Sequence, residues 1–246
     1  MSAVAAVAMR QNMSSDSPPQ SGETASLPIV SGNAPAATSS AAPAPVTLSF
    51  ADPTALGLFG LAIGCAALLP LAFGMKSAAT LDALRTTAIF CLLFGGGCQF
   101  LAGIMSFANK NMLGGTLLTA FSFNWVMNWW ALDGLVNGKP PSSAVVLCVD
   151  ACFLMIFFAM TYAFAFYSKL LVVFLLDIDV IYGLRIAREV LHTQALSMPI
   201  AIATVVLMFL ALYIAVALVL VNASGKSVLP IGAPLLKAAG PAPVGH

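Results

Sequence analysis

The chain alternates between long apolar runs and short polar interruptions. Six runs stand out, at about 55–75, 86–108, 113–133, 143–167, 169–187 and 198–222. Each is close to the roughly 20 residues that a helix needs to cross a hydrocarbon core about 30 Å thick. The interruptions are Lys76 with Asp82 and Arg85, the Ala-Asn-Lys-Asn stretch at 108–111, Asn137 to Pro141, Ser168 with Lys169, and Arg185 to Gln194. Lipid offers backbone amides no partners, so a spanning segment must pair them internally, as a helix or a closed barrel. Continuous apolar runs of this length exclude the alternating pattern of a barrel strand. The pattern predicts an all-α, polytopic membrane protein with six transmembrane helices, short connections and both termini on one side.

Residues 1–48 are rich in Ala, Ser, Pro, Thr and Gly. They hold too little apolar surface to offset the entropy of ordering them, so a disordered tail is expected there. The six-helix domain is expected over 49–232, and a flexible tail over 233–246. The opening MSAVAAVAM is short and has no cationic flank, so a signal peptide is not expected.

Composition reinforces the membrane reading. Of 246 residues, 60% are hydrophobic and 8% charged, with a mean hydropathy of +0.98. A soluble domain carries about 25% charge to solvate its surface, so lipid must cover much of this one. A net charge of +1 leaves no footprint for nucleic acid. Basic residues do not orient the chain. Arg10, Lys110, Lys169, Lys226 and Lys237 fall on the side of the termini, and Lys76, Arg85, Lys139, Arg185 and Arg188 on the other.

Catalytic chemistry has no foothold. The five cysteines, Cys65, Cys91, Cys98, Cys148 and Cys152, sit inside apolar runs and read as packing residues. Cys148 and Cys152 are one helical turn apart, but no His lies near them in sequence. His192 falls in the connection before the last helix, and no nucleophile, zinc or phosphate-loop motif occurs. No enzyme activity, metal or cofactor is expected.

The polar and glycine positions inside the helices carry the functional signal. Asp52 can cap the first helix and Pro53 suits its first turn. Gly57, Gly60 and Gly64 then leave one side of that helix almost bare. Such a face suits close helix contact or, with the positive helix end, an anion-friendly vestibule. Gly95, Gly96 and Gly97 mark close packing or a local break in the second helix. Gln99 should face protein or a pore. In the third helix Thr119, Ser122, Asn124 and Asn128 are either interhelical bonds or pore lining, and Trp125, Trp129 and Trp130 include interface anchors. Asp177 and Asp179, near the middle of the fifth helix, are functional candidates, because an ionised acid at that depth is costly. They lie about 200° apart around the helix, so at most one lines a given pathway. The plain alternative is a protonated acid bonded to a neighbouring helix. Asp150 is a weaker third candidate.

Four segments, in order, resemble one known family, the acetate uptake transporters of the succinate–acetate permease type. ADPTALGLFG is similar to that family's NPAPLGL signature. GGGCQFLAGIMSF and KNMLGGTLLTAFSFNW resemble its second and third helices, and YIAVALVLVNASGKSVLPIG resembles its last helix and VLPIG tail. The resemblance runs from about Asp52 to Gly232. It implies a channel-like six-helix protomer that moves acetate and related small monocarboxylates, with proton coupling proposed. It further implies a homo-oligomer, a hexamer with one pore per protomer, in the plasma (inner) membrane. By position, the family's apolar constriction falls on Leu61, Phe121 and Ile178, and its vestibule on Asp52, Pro53, Gly57 and Gly60. Asp177, Asp179, Gln99 and Asn124 become the candidate polar or proton-handling groups. Departures fall where relatives have Phe (Leu61), Tyr (Phe121), a second signature Pro (Ala55) and a late Glu (Leu218). Two other readings stay open, a channel for another small solute and a non-transporting scaffold or sensor.

Overall fold

The computed structural model describes residues 50–237. The expected tail over 1–48 lies outside them, as does the end of the expected C-terminal tail. Six long helices follow one another: α1 (Thr54–Ala72), α2 (Leu81–Ala108), α3 (Met112–Val136), α4 (Ser143–Phe164), α5 (Lys169–Val190) and α6 (Ser197–Ser224). Among the described residues there is no strand. Helices α1, α2, α4 and α6 are long and apolar enough to cross a membrane. Helix α3 is diluted by Asn, Ser and Gly, and α5 carries Asp177, Asp179 and Arg185 in one stretch. The chain is an all-α, multi-pass membrane protein.

Local chemistry explains the helix ends. Thr80 accepts from the amide of Ala83 (3.3 Å), so α2 starts five residues ahead of its apolar run, on a polar first turn. Asn111 accepts from Gly114 (2.9 Å) at the start of α3, and Gly225, at φ +67°, closes α6 in the left-handed conformation. Asp52 accepts from the amide (3.0 Å) and the hydroxyl (2.6 Å) of Thr54.

Helix α2 is π-helical over Cys91–Cys98. Its wide turn contains the three glycines, and neighbouring helices approach it closely. A Cβ on Gly95 would stand 2.4 Å from the Trp125 ring, and one on Gly60 of α1 would stand 2.4 Å from the Phe94 carbonyl oxygen. The bare face of α1 is thus spent on contact: Gly57 faces Leu118 and Ala102, Gly60 faces Phe94 and Cys98, and Gly64 faces the Trp125 ring. That ring is 3% exposed, so Trp125 is a core residue and not an interface anchor, whereas Trp130 is half exposed.

The stretch after α6 returns to the bundle. Ser168 Oγ donates to the Ile231 carbonyl, Lys169 N–H to Ala233 (3.1 Å) and Leu170 N–H to Ile231 (3.3 Å). Leu235 and Leu236 N–H both reach the Ala165 carbonyl, at 2.9 and 3.0 Å. Tyr213 holds Pro230 through its hydroxyl (3.0 Å). These bonds satisfy the amides at the start of α5 that no helix can pair by itself. Hydrogen bonds thus tie the chain to the bundle as far as Leu236.

Candidate functional site

Two cavities lie along the bundle. The first, about 350 Å³, is lined by the start of α1 (Thr54, Leu58, Leu61), the start of α3 (Gly114 to Phe121) and the first half of α5 (Ser168 to Ile178). Gln99, Phe164, Ile214 and Leu218 complete it with Ile231, Gly232 and Pro234 of the returning strap. Its polar side chains are only Thr54, Gln99, Tyr167 and Ser168. The second, about 560 Å³, is lined by the later halves of α1, α3 and α5 and the start of α6. It is far more polar, with Asn124, Asn128, Tyr182, Arg185, Arg188, Gln194, Ser197 and Thr204 on its wall.

The cavities share two lining residues, Phe121 and Ile178. Both are buried, at 5% and 1% exposure, and Leu61, on the first-cavity side, is fully buried. Aromatic packing fixes Phe121. Its ring meets Phe157 edge-on at 5.1 Å and Trp125 at 6.2 Å, and Phe157 stacks in turn on Tyr182 at 5.5 Å. The three residues assigned to a constriction from the sequence thus gather around the junction of the two cavities.

The other candidates separate. Gln99 lies on the wall of the first cavity, 1% exposed, and its Oε1 has no protein partner. Asn124 lies on the wall of the second and accepts a hydrogen bond from the Tyr182 hydroxyl (2.9 Å). Asp52, Pro53, Gly57 and Gly60 line neither cavity; Thr54 is the lining residue at that end. The helix-end donors that would welcome an anion there are taken by Asp52, Asn111, Ser168 and the strap.

Asp177 and Asp179 also line neither cavity. Asp179 faces α4, where Thr161 Oγ1 donates to its Oδ2 (2.7 Å). The same hydroxyl lies 2.9 Å from the Phe157 carbonyl oxygen, and its one proton serves one acceptor at a time. Asp177 is half-buried, beside the exposed stripe of Val173, Leu176 and Val180. The two acids do not share surroundings: Asp179 enters the contact with α4, whereas Asp177 has its Oδ2 buried without a hydrogen-bond partner. Thr161→Val is expected to destabilise the bundle by about 1–3 kcal/mol, because it strips Asp179 of its partner. Thermal unfolding in detergent measures this, and a Thr161→Val protein as stable as wild type would sink the assignment.

Sequence reasoning passed over Arg185. It lies within α5, on the wall of the second cavity, with Nη2 3.1 Å from Asp150 Oδ1 on α4 and its guanidinium carbon 5.3 Å from the Tyr182 ring centroid. A signal was present, since an Asp and an Arg in adjacent apolar segments invite pairing.

The fold and its cavities define a helical membrane protein with two cavities that meet at mid-bundle. Among solved structures, the bacterial acetate channel SatP shares this fold, with a TM-score of 0.68 at 20% sequence identity over 75% of this chain and 100% of that one. No family model matches the sequence, and no curated protein does.

Proposed function

We propose that the protein is a channel or transporter for acetate and related small carboxylates. In this reading all six helices cross the plasma (inner) membrane, and protomers assemble as a homo-oligomer, a hexamer with a pore in each. The observation that carries it is the pair of cavities meeting at Phe121 and Ile178. The likeness of fold to a bacterial acetate channel supports the choice of solute, as does the resemblance of the four sequence segments. An ion pays heavily to enter an apolar junction, whereas the neutral acid does so at far smaller cost. The junction therefore selects for small solutes that can shed charge, and the polar second cavity collects the anion. With neither Asp177 nor Asp179 on a cavity wall, the proton comes from solution.

The test is uptake of labelled acetate into liposomes holding the purified protein. Flux well above protein-free vesicles is expected; none would leave a scaffold or sensor role, and better passage of an uncharged solute would point to a different channel. Asp177→Asn and Asp179→Asn are expected to keep the wild-type dependence of flux on pH. A displaced profile in either would return that acid to the proton path. Native mass measurement in mild detergent tests the assembly, and a monomer would count against it.

A further inference from the structure

Among the described residues, Arg185 is the one cation placed in both an ion pair and a cavity wall. We propose that the second cavity is a carboxylate-binding station in which Arg185 is the binding residue, and that Asp150 is the internal anion for which the ligand is exchanged. The inference rests on the transport reading for its ligand class.

Four observations support it. Asp150 sits behind the wall, 6% exposed and not lining the cavity, whereas Arg185 lines it. The acid meets the guanidinium through Oδ1, 3.1 Å from Nη2. A guanidinium has five donors in a planar fork that matches a carboxylate through two of them, so one carboxylate leaves donors of the fork unfilled. The groups beside it are donors as well. Asn124 uses its side-chain oxygen to accept from Tyr182, which leaves its NH₂ to donate. Trp125 lines the same cavity, is 3% exposed, and its Nε1 has no protein partner. An ionised carboxylate only accepts hydrogen bonds, so it complements these donors and the positive charge of Arg185. Arg188, one turn further along the helix and on the same wall, adds a second positive charge.

The exchange also explains why the charge is tolerable before a ligand arrives. A lone guanidinium inside a membrane bundle is costly, and Asp150 compensates it. A carboxylate that takes over the free edge of the fork leaves Asp150 partly released, so binding is held to a moderate strength and the ligand can leave again.

Equilibrium dialysis of labelled acetate against the purified, detergent-solubilised protein tests the station. Asp150→Asn frees the guanidinium and is expected to tighten acetate binding, whereas Arg185→Gln is expected to weaken it about tenfold or more. Arg185→Gln leaves Asp150 buried without its partner, so the double variant Asp150→Asn/Arg185→Gln, neutral at both positions, is the decisive one. It is expected to stay monodisperse and to bind as weakly as Arg185→Gln. Wild-type affinity in the double variant, or no acetate binding by wild type, would overturn the station. Liposome flux separates the two claims. Wild-type flux whose half-saturating acetate concentration is untouched in the double variant keeps the transport reading and overturns the station. Binding that depends on Arg185, in a protein that passes no acetate, keeps the station and overturns transport.

Discussion

Gly60→Ala is expected to break the contact between α1 and α2 and to lower the yield of monodisperse protein sharply. A Cβ at this position would stand 2.4 Å from the Phe94 carbonyl oxygen and 2.5 Å from the Cys98 Cβ. Neither atom is the end of a flexible chain. The oxygen belongs to the π-helical turn, so relief requires one helix to move off the other. Overpacking of this kind costs typically about 1–3 kcal/mol and here falls at the upper end, since no rotamer change can absorb it. Two other glycines serve as controls. At Gly57 the nearest atom is a methyl of Leu118, 2.8 Å away, which can swing aside. At Gly183 nothing lies within 4 Å. The expected order of thermal stability in detergent is Gly183→Ala at or above wild type, Gly57→Ala below it, and Gly60→Ala lowest. A Gly60→Ala protein as stable as Gly183→Ala would show that the helices do not approach as closely as described.

The second large effect is expected at Phe121. Its ring lies where the two cavities meet, so Phe121→Ala should open one into the other. Preference for acetate over a carboxylate longer by one or two methylenes is then expected to fall by about tenfold or more, the order of discrimination that one methylene commands in an apolar pocket. Competing with this is collapse, since Phe157 and Trp125 touch the same ring and could fill the space. Phe121→Leu distinguishes the two, because it keeps most of the volume and should change selectivity little. Removing the ring also sacrifices packing, about 3–5 kcal/mol for a buried Phe, so flux must be normalised to folded protein. Relative fluxes of acetate, propionate and butyrate in liposomes measure the effect, and an unchanged series for Phe121→Ala would remove the ring from the selectivity step.

Hydropathy made the helices legible because lipid imposes a length and a composition on every spanning segment. The ends of α3 and α6 fall within about three residues of the apolar runs, within the usual scatter of helix boundaries. The start of α2 was harder, because its first turn is polar and is held by Thr80 and not by burial. Glycines announced close contact, and the structure supplies the partners. The walls of the cavities were less legible. Arg185 reads as the beginning of a polar connection, but α5 continues to Val190 and carries it along the second cavity. Whether an acid faces a cavity depends on the rotation of its helix, which a run of apolar residues does not encode. Tyr182 and Asn124 are joined across 58 residues, and only the packed bundle brings them together.

The strap that closes the first cavity binds the protein's completeness to the order in which it is made. A chain is synthesised from its N-terminus, so the opening amides of α5 exist before their acceptors do. Ser168 and its partner Ile231 are 63 residues apart, with all of α6 between them. A nascent chain that has made five helices therefore has a first cavity with one side missing and an α5 whose first amide, at Lys169, still lacks its acceptor. Ser168 caps Leu170 and Leu171 locally, but the strap's share of this helix end is among the most distant contacts, and distant contacts form late. The wall is finished only when the last helix has been inserted and the stretch beyond it has turned back. In this protein the first cavity is closed by the segment that is built last.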